Sequence, residues 1–374
     1  MGVLRAAGQA DHRPSLAGDA VGQLGAVGCG EGGHDRRSCQ RCRVVGKPVS
    51  SDISYRETKL TTIRSFCLAA VMTVNETEVV VVGGGAAGLQ AALVLARARR
   101  DVTVVDGGEP RNARARAVHN LAGHEGVAPA CLLELARDDA RRYGARIVRD
   151  AVTEARQDGS RWLLGLRGGD AWRARALVLA TGVIEELPPV EGLDALWGGD
   201  VVSCPYCHGW EARDRPVAVV GTGERAWRQV LLLRRFTGDL ALLTGGPAGF
   251  DGERLAFLRD AGVSVREEPI ARVVAEEGRL SGVAFAGGDF LPRDVVFAAT
   301  SRRQASALPA ALGCEIDGAA VVTDRTGRTA VPGVWAAGSC ADPALTVAGS
   351  AGHATTTAIA VNDALLDEDT GLTP

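Results

Sequence analysis

The sequence predicts an α/β fold of two parallel-sheet domains, with the second domain inserted into the first. Two βαβ units, beginning at Val79 and at Val217, each combine an apolar strand, a glycine turn and a helix. Further apolar, strand-like segments lie on both sides of the second unit, at residues 176–179 and 331–336. A chain of 374 residues is long enough to build two separate cores. We therefore expect the outer segments to complete the first domain and the second unit to form a domain of its own.

The first βαβ unit occupies residues 79–105. Residues 79–82 are four consecutive valines, a pattern typical of a strand buried on both faces of a parallel sheet. A glycine-rich turn follows, and the pattern then predicts a helix over 86–98 and a strand over 102–105.

The second βαβ unit repeats this order. Residues 217–220 are predicted to form its first strand, 226–235 its helix and 240–243 its second strand. Each unit opens on a glycine turn, so both domains have the local architecture of a nucleotide-binding domain.

The first 71 residues differ from the rest of the chain. They contain both lysines of the protein and carry ten Lys and Arg residues against six Asp and Glu residues, without a sustained helix or strand period. Met72 stands directly before the first predicted strand. We expect residues 1–71 to be a disordered extension or a mis-annotated start, with Met72 as the true start.

The same segment contains residue types that bind zinc. Their spacing fits no tight zinc pattern, and no apolar residues follow them to build a small metal-dependent core. An accidental cluster in unstructured sequence is the favoured interpretation, and no metal site is predicted. The residues concerned are Cys29, His34, Cys39 and Cys42.

Composition and charge narrow the function classes. A net charge of -3 does not indicate a nucleic-acid partner or an anionic membrane surface, and no apolar run is long enough to span a membrane. Nine cysteines, an odd number, in a chain of this length favour a reducing cytoplasm over a disulfide framework. A close pair of cysteines is then a candidate for catalysis.

The first glycine turn predicts a dinucleotide site. Gly83 permits the tight turn, Gly85 lets the backbone approach a pyrophosphate, and Gly88 lets helix and strand pack closely. The helix N-terminus favours the negative charge of the pyrophosphate. Asp106 follows the next strand, where a carboxylate can accept the hydroxyl hydrogens of an adenosine ribose.

The segment 204–211, Cys-Pro-Tyr-Cys-His-Gly-Trp-Glu, is the main candidate for redox chemistry. Cys204 and Cys207 are three residues apart on a turn entering a helix, so they can close a disulfide, and the helix N-terminus favours a thiolate. His208 is placed to carry the proton that thiol–disulfide exchange requires. A zinc half-site and two idle thiols are the structural alternatives, but no second ligand pair with suitable spacing exists in this domain.

Three further segments carry a resemblance to a known family. The Ala-Thr-Gly at 180–182 and the stretch 331–339 resemble elements of the FAD-dependent pyridine-nucleotide disulfide oxidoreductases, and 106–112 is similar to the flavin-side stretch of the low-molecular-weight thioredoxin reductases. The resemblance covers about residues 76–366. It implies FAD as the cofactor and adds a set of cofactor-binding candidates: Arg111, Asn112, Thr181, Gly182, Gly338 and Ser339. The resembling proteins carry an Asp, which contacts the ribityl chain, where this chain has Ser339, so we expect weaker flavin binding.

The resemblance also sets the expected domain organisation. It implies two Rossmann-like domains of three-layer ββα type, assembled in a homodimer. The FAD-binding domain is expected to comprise 72–188 and 300–374, and 189–299 is expected to be an NAD(P)H-binding-like domain that carries the cysteine pair.

The second glycine turn does not favour NADPH. Gly221, Gly223 and Ala226 keep the turn, but residues 244–246 after the next strand are Thr-Gly-Gly. An NADP site requires an arginine there for the 2′-phosphate, and an NAD site requires an acid. We expect a degenerate nicotinamide site, with an arginine at 234 or 235 as the alternative source of a cation.

His208 stands where thioredoxin reductases have an acid, and the run 204–211 resembles the dithiol oxidases that close disulfides in gliotoxin- and holomycin-type natural products. This resemblance implies oxidation of a small-molecule dithiol, with O2 as the electron acceptor and H2O2 as the second product. An NADPH-dependent disulfide reductase is the first rival hypothesis. A flavoprotein whose cysteine pair only senses redox state is the second.

The remaining histidines and cysteines of residues 72–374 carry weaker signals. In the resembling proteins the last helix points its N-terminus at the flavin pyrimidine, so His353, expected at the start of that helix, is a candidate catalytic residue that stabilises reduced flavin. An exposed helix-start histidine is its alternative. Cys314 and Cys340 are interpreted as small packing residues. No role is assigned to His119, His124 or Cys131.

Overall fold

The computed structural model describes residues 73–371. The predictions made for residues 1–71, including the four zinc-ligand candidates, lie outside the described residues. Within 73–371, no helix has the length and apolar character needed to cross a membrane.

The strands of the described part of the chain are β1 (Val74–Glu76), β2 (Val79–Val82), β3 (Val102–Val105), β4 (Arg146–Val148), β5 (Val152–Asp158), β6 (Arg161–Leu166), β7 (Ala171–Ala174), β8 (Ala176–Leu179), β9 (Val183–Glu186), β10 (Val201–Val202), β11 (Val217–Val220), β12 (Leu240–Leu243), β13 (Ser264–Arg266), β14 (Ile270–Glu276), β15 (Arg279–Phe285), β16 (Phe290–Pro292), β17 (Val295–Ala298), β18 (Ser301–Gln304), β19 (Ile316–Asp317), β20 (Ala320–Val321) and β21 (Val334–Ala336). The helices are α1 (Ala86–Arg97), α2 (Pro129–Arg142), α3 (Leu193–Leu196), α4 (Pro205–His208), α5 (Gly223–Leu233), α6 (Gly252–Asp260), α7 (Leu308–Ala311) and α8 (Val347–Thr370), with a 3₁₀ turn at Gly338–Cys340.

The first domain is built on a five-stranded parallel sheet. Its strand order is β21-β8-β2-β3-β4. Alternate valines of β2 face opposite layers: Val79 and Val81 pack with α1, α2 and α8, whereas Val80 and Val82 pack against the antiparallel strands β6 and β7. This alternation is why an all-apolar strand is buried on both faces. The result is a three-layer ββα domain, as the resemblance implied.

The second domain repeats the three layers. Its parallel sheet has the order β10-β17-β11-β12-β13. On β11, Val217 and Val219 face α5 and α6, and Ala218 and Val220 face the antiparallel sheet β14-β15-β16. The molecule therefore contains two Rossmann-like domains with the same layering.

The two domains are connected by strands on both sides of the second sheet. Strand β9, before the second domain, pairs antiparallel with β18, which follows it, so Val183 lies opposite Gln304. The second sheet is thus inserted within the chain of the first. The boundaries expected at 188/189 and 299/300 stay a prediction.

Most predicted strands agree with the structure, and the differences occur at turns. Strands 79–82, 102–105, 176–179, 217–220 and 240–243 have the predicted bounds. The segment 331–336 forms a strand only from Val334, because a turn precedes it in which Val334 N–H donates to the Val331 carbonyl. The helix predicted over 226–235 instead spans Gly223–Leu233, since the glycine turn leads directly into it.

Candidate functional site

The cofactor-binding candidates lie at one edge of the first sheet. Because β21, β8, β2 and β3 are adjacent and parallel, the residues that follow them meet at their carboxyl ends, where ligands bind in open α/β sheets. The sequence-predicted residues within three positions of these strand ends are Gly83 after β2, Asp106 after β3, Thr181 and Gly182 after β8, and Gly338 and Ser339 after β21.

The glycines of the first turn have different surroundings. A Cβ on Gly88 would lie 1.8 Å from the Gly83 carbonyl oxygen, so only glycine lets α1 approach β2. Gly83 has a φ of +110°, and a Cβ there would lie 2.4 Å from the Ala180 carbonyl oxygen. Gly85 has no neighbour within 4 Å of a Cβ position and forms the N-cap of α1 without a side-chain hydrogen bond. The open space at Gly85 therefore lies beside uncapped N–H groups of a helix, the arrangement that binds an anion.

Asp106 is buried and already accepts protein hydrogen bonds. Its Oδ1 accepts from Gly108 N–H at 2.9 Å, and its Oδ2 accepts from Arg137 at 3.1 Å. Arg149 contributes a longer contact of 3.4 Å to the same Oδ2. A cleft of about 200 Å³ opens beside Asp106, lined also by Arg149 and Arg167. A ribose would have to share the carboxylate with these donors, and the sequence pattern did not indicate them.

The turns after β8 and β21 contact each other. The Thr181 hydroxyl donates to Cys340 Sγ at 3.3 Å, and a Cβ on Gly182 would lie 3.3 Å from Ser339 Oγ. Cys340 is fully buried, and burial raises the pKa of its thiol to about 11. It is therefore a neutral packing residue, as predicted, and so is the buried Cys314.

His353 lies in the second turn of α8, not at its start. The helix begins at Val347 after the Thr346 N-cap, because the Thr346 hydroxyl accepts from Gly349 N–H. His353 Nδ1 accepts a hydrogen bond from Gly338 N–H at 3.1 Å, so this nitrogen carries no proton and Nε2 is the ring donor. Burial lowers the pKa of His353, and this outweighs the opposing effect of Asp342. His353 is therefore a neutral hydrogen-bond donor and not a cation.

Arg111 is engaged with a buried carboxylate. It forms an ion pair with Glu185 and donates to the Pro343 carbonyl at 3.1 Å. Asn112 is half-buried in the same loop, and its carbonyl accepts from Ala115 N–H. Their predicted contact with the flavin stays a prediction.

The cysteine pair forms a disulfide at the second domain. Cys204 is the N-cap of the short helix α4, its Cα lies 5.2 Å from that of Cys207, and its Sγ accepts from Cys207 N–H at 3.2 Å. Pro205 at the first helical position fixes the turn. Both cysteines are half-buried, and the aromatic side chains of Tyr206, which lies between them, and Trp210 are 73% and 64% exposed, so the disulfide borders an exposed surface with aromatic side chains.

His208 follows the disulfide directly and is largely buried. Its Nδ1 is shielded from solvent and, among the described residues, has no hydrogen-bond partner. Burial lowers the pKa of His208, while the Cys204 backbone and Glu211 act in the opposite direction. The imidazole is therefore neutral at neutral pH and can accept a proton from a thiol.

The structure adds a group to which the sequence assigned no role. The His119 ring lies edge-on to the His208 ring, with centroids 6.4 Å apart. His119 Nδ1 lies 2.6 Å from Glu125, and its Nε2 lies 3.6 Å from Glu211. These residues are far from His208 in the sequence, apart from Glu211, so no local spacing could have indicated the contact.

The helix that follows the second glycine turn carries an acid in its first turn. Glu224 lies in the first turn of α5 and pairs with Arg228 at 2.8 Å and with Arg254 at 3.0 Å. Arg234, the alternative cation, lies over the ring of Phe257, 4.9 Å from its centroid.

Cys204, Cys207 and His208 lie beside the parallel sheet of the second domain, whereas the flavin-binding candidates lie at the sheet of the first domain. Their approach to a common flavin stays a prediction. Within residues 73–371, no set of three or more His, Cys, Asp and Glu side chains is arranged to hold a metal ion.

Comparison with known proteins gives a consistent result. Residues 77–361 match the family model of the pyridine nucleotide-disulphide oxidoreductases. The thioredoxin reductase tcpT of Claviceps purpurea is 30% identical over 283 residues, which cover 71% of this chain and 87% of that protein. A probable thioredoxin reductase of Arthroderma benhamiae is 31% identical over 176 residues, so this chain spans only 44% of that relative. Among solved structures, the crystal structure of HlmI matches with a TM-score of 0.76 and 41% identity, covering 79% of this chain and 94% of that one.

Proposed function

This chain belongs to the pyridine nucleotide-disulphide oxidoreductase family as a thioredoxin-reductase-like, FAD-binding oxidoreductase, and on that premise we propose that it oxidises a small-molecule dithiol to an intramolecular disulfide. The observation that carries the proposal is the half-buried Cys204–Cys207 disulfide with the neutral His208, whose Nδ1 is shielded from solvent, directly after it. O2 is the proposed electron acceptor and H2O2 the second product.

The residues of the first glycine turn fit FAD. The open space at Gly85, beside the uncapped start of α1, matches a pyrophosphate, and the cleft at Asp106 leaves room for an adenosine. Gly182 and Ser339, which lie side by side on the turns after β8 and β21, would hold the ribityl chain. Because its Nδ1 accepts from Gly338 N–H, His353 would offer the N–H of its Nε2 as a hydrogen-bond donor to the flavin.

When bound, FAD would serve as the two-electron acceptor for the reduced cysteine pair and would pass the electrons on to O2. The chain's own residues carry out the thiol chemistry. His208 takes the proton of the first substrate thiol, and the substrate sulfur bonds to Cys204 Sγ while the Cys204–Cys207 bond breaks. Cys207 leaves as a thiolate.

The second substrate thiol completes the reaction. After losing its proton it attacks the first substrate sulfur, which forms the product disulfide and releases Cys204 as a thiolate. Both electrons then reside on the cysteine pair, so that overall one dithiol and one O2 give one disulfide and one H2O2.

The second glycine turn supports an oxidase over an NADPH-dependent reductase. Residues 244–246 offer no cation for a 2′-phosphate, and Glu224 in the first turn of α5 holds the nearby Arg228 and Arg254 in ion pairs. Arg225, the next basic residue of this turn, is directed to Glu185 at 3.5 Å. We also propose that the protein acts as a homodimer in the cytoplasm, on the resemblance and on the cysteine content.

Anaerobic visible absorbance of the protein with bound FAD tests the proposal. Dithiothreitol should bleach the flavin when it is mixed with the protein, and NADPH should not. Admission of air should then restore the colour and yield one equivalent of H2O2. Cys207→Ser should prevent bleaching by the dithiol. Rapid bleaching by NADPH would make the protein a reductase, and no bleaching by any dithiol would favour a redox sensor.

A further inference from the structure

The loop of residues 118–127 packs against the cysteine pair. It is closed by an antiparallel bridge between Val118 and Val127. Within this loop, Asn120 adopts a φ of +61° and its side chain donates to the Tyr206 carbonyl at 2.6 Å, within the Cys204–Cys207 turn. The loop is therefore attached to α4, the short helix that contains Cys207 and His208.

A proton accepted by His208 needs a path to solvent. The ring is largely buried, and its Nδ1 has no partner among the described residues. The charged and titratable side chains that act on His208 are His119 and Glu211. The His119 ring lies 6.4 Å away between centroids, a separation within reach of one bridging water.

His119 leads from this buried ring to the surface. Its side chain is 18% exposed, and the two carboxylates beside it, Glu125 and Glu211, are 62% and 45% exposed. Glu125 is itself fixed, because its Oε2 accepts from Asn120 N–H at 2.8 Å. The hydrogen bond to His119 lowers the pKa of Glu125, so the carboxylate stays ionised and keeps accepting a hydrogen bond from the His119 ring.

We propose that His119 is a positioning and proton-relay residue that takes the substrate proton from His208 and passes it to solvent beside the exposed carboxylates of Glu125 and Glu211. The inference rests on the proposed function, because the proton it moves is that of the substrate thiol. The step is balanced: each substrate thiol loses one proton and each cysteine gains one electron, and the released protons leave by this path to be taken up when O2 becomes H2O2.

The test is the rate of anaerobic flavin reduction by dithiothreitol in His119→Ala, measured by stopped flow. We expect the rate to fall by about tenfold or more, a modest share of general acid–base catalysis. Added imidazole should restore it in proportion to its concentration, because the lost ring opens a path from solvent. The control His124→Ala removes an exposed histidine of the same loop and should stay within about twofold of wild type.

Imidazole rescue distinguishes a proton relay from a merely structural role of His119. A His119→Ala rate equal to wild type, or a loss that imidazole does not restore, would overturn the relay. If His119→Ala does not fold, His119→Asn provides the same test, since its side chain is smaller than histidine, leaves room for imidazole and does not accept and release a proton. The wild-type arm alone reports on the proposed function: if dithiothreitol does not bleach wild-type flavin, that function fails whatever His119 does.

Discussion

At the residue scale, burial determines the protonation of the histidines. Burial lowers the pKa of both His208 and His353, so each ring is neutral in the folded protein. The sequence alone indicates only that the two rings can titrate. The two rings differ in their hydrogen bonds, because His353 Nδ1 accepts from Gly338 N–H and His208 Nδ1 has no partner among the described residues. One is fixed as a donor and the other is free to accept a proton.

The lowered pKa of His353 predicts how stability depends on pH. Below the ordinary value of 6.5 the unfolded chain binds a proton that the folded His353 does not, so the free energy of unfolding should fall as pH drops from 6.5 towards the folded pKa and stay level above 6.5. His353→Asn keeps an acceptor for Gly338 but does not titrate, so it should remove the His353 share of this fall and leave that of His208, whose pKa burial also lowers. Denaturant unfolding at several pH values between about 5 and 8 measures it, with His124→Asn as the exposed control. An unchanged fall in His353→Asn would show that other groups cause it.

At the element scale, the glycine turn before α1 combines two separate requirements. Gly88 is required by packing, since a Cβ would lie against the Gly83 carbonyl oxygen, whereas Gly85 faces open space. The first is a property of the folded chain alone. The second becomes a requirement only when a ligand fills the space.

These two glycines predict opposite behaviour on substitution by alanine. Gly88→Ala should lower the free energy of unfolding by about 3 kcal/mol, because helix and strand must separate. Gly85→Ala should leave the stability of the FAD-free protein within about 0.5 kcal/mol of wild type yet reduce FAD binding at least tenfold. Thermal unfolding and FAD titration measure both quantities. Normal FAD affinity in Gly85→Ala would show that the pyrophosphate does not bind at this turn.

At the scale of the whole molecule, a buried carboxylate links segments of both domains. Glu185 on β9 is 6% exposed and pairs with Arg111 of the first domain, with Arg225 at the start of α5, 3.5 Å away, and with Arg302 on β18, 3.1 Å away. Thr300 also donates to it. Burial alone would raise the pKa of Glu185, but Arg111 and the other donors outweigh burial and hold it below its ordinary value.

Glu185→Gln should therefore destabilise the molecule by roughly 3 kcal/mol, because three partly buried arginines lose their common counter-ion. Glu186→Gln on the same strand is the matched control, since Glu186 is 47% exposed and pairs with Arg303 on the surface, and it should cost under about 1 kcal/mol. Denaturant unfolding compares them. Equal losses in the two variants would show that the cluster does not link the domains energetically.

The sequence by itself determined the repeated local pattern. The valines of 79–82 and the apolar strands of the second unit were predicted with their observed bounds, because an all-apolar run between turns leaves one stable placement, in the middle of a parallel sheet. The glycine turns could also be predicted, and so could the Cys204–Cys207 pair with the neighbouring His208. Their chemistry depends on the spacing of residues along one turn, which the sequence shows directly. The helix starts at 223 and 347 were not predicted, because apolar periodicity marks the buried face of a helix and not its first turn, which the glycine turn and the Thr346 N-cap set.

Only the tertiary structure decided which distant residues complete these local motifs. The contacts of His119 with His208, of Arg137 with Asp106, and of Gly338 with His353 each join segments that are separated in the chain. No periodicity or spacing encodes such contacts. They arise because the parallel sheets bring strand ends together and because a loop of the first domain packs on the redox turn of the second. Burial at those contacts, which sets the protonation of the side chains, exists only in the folded molecule.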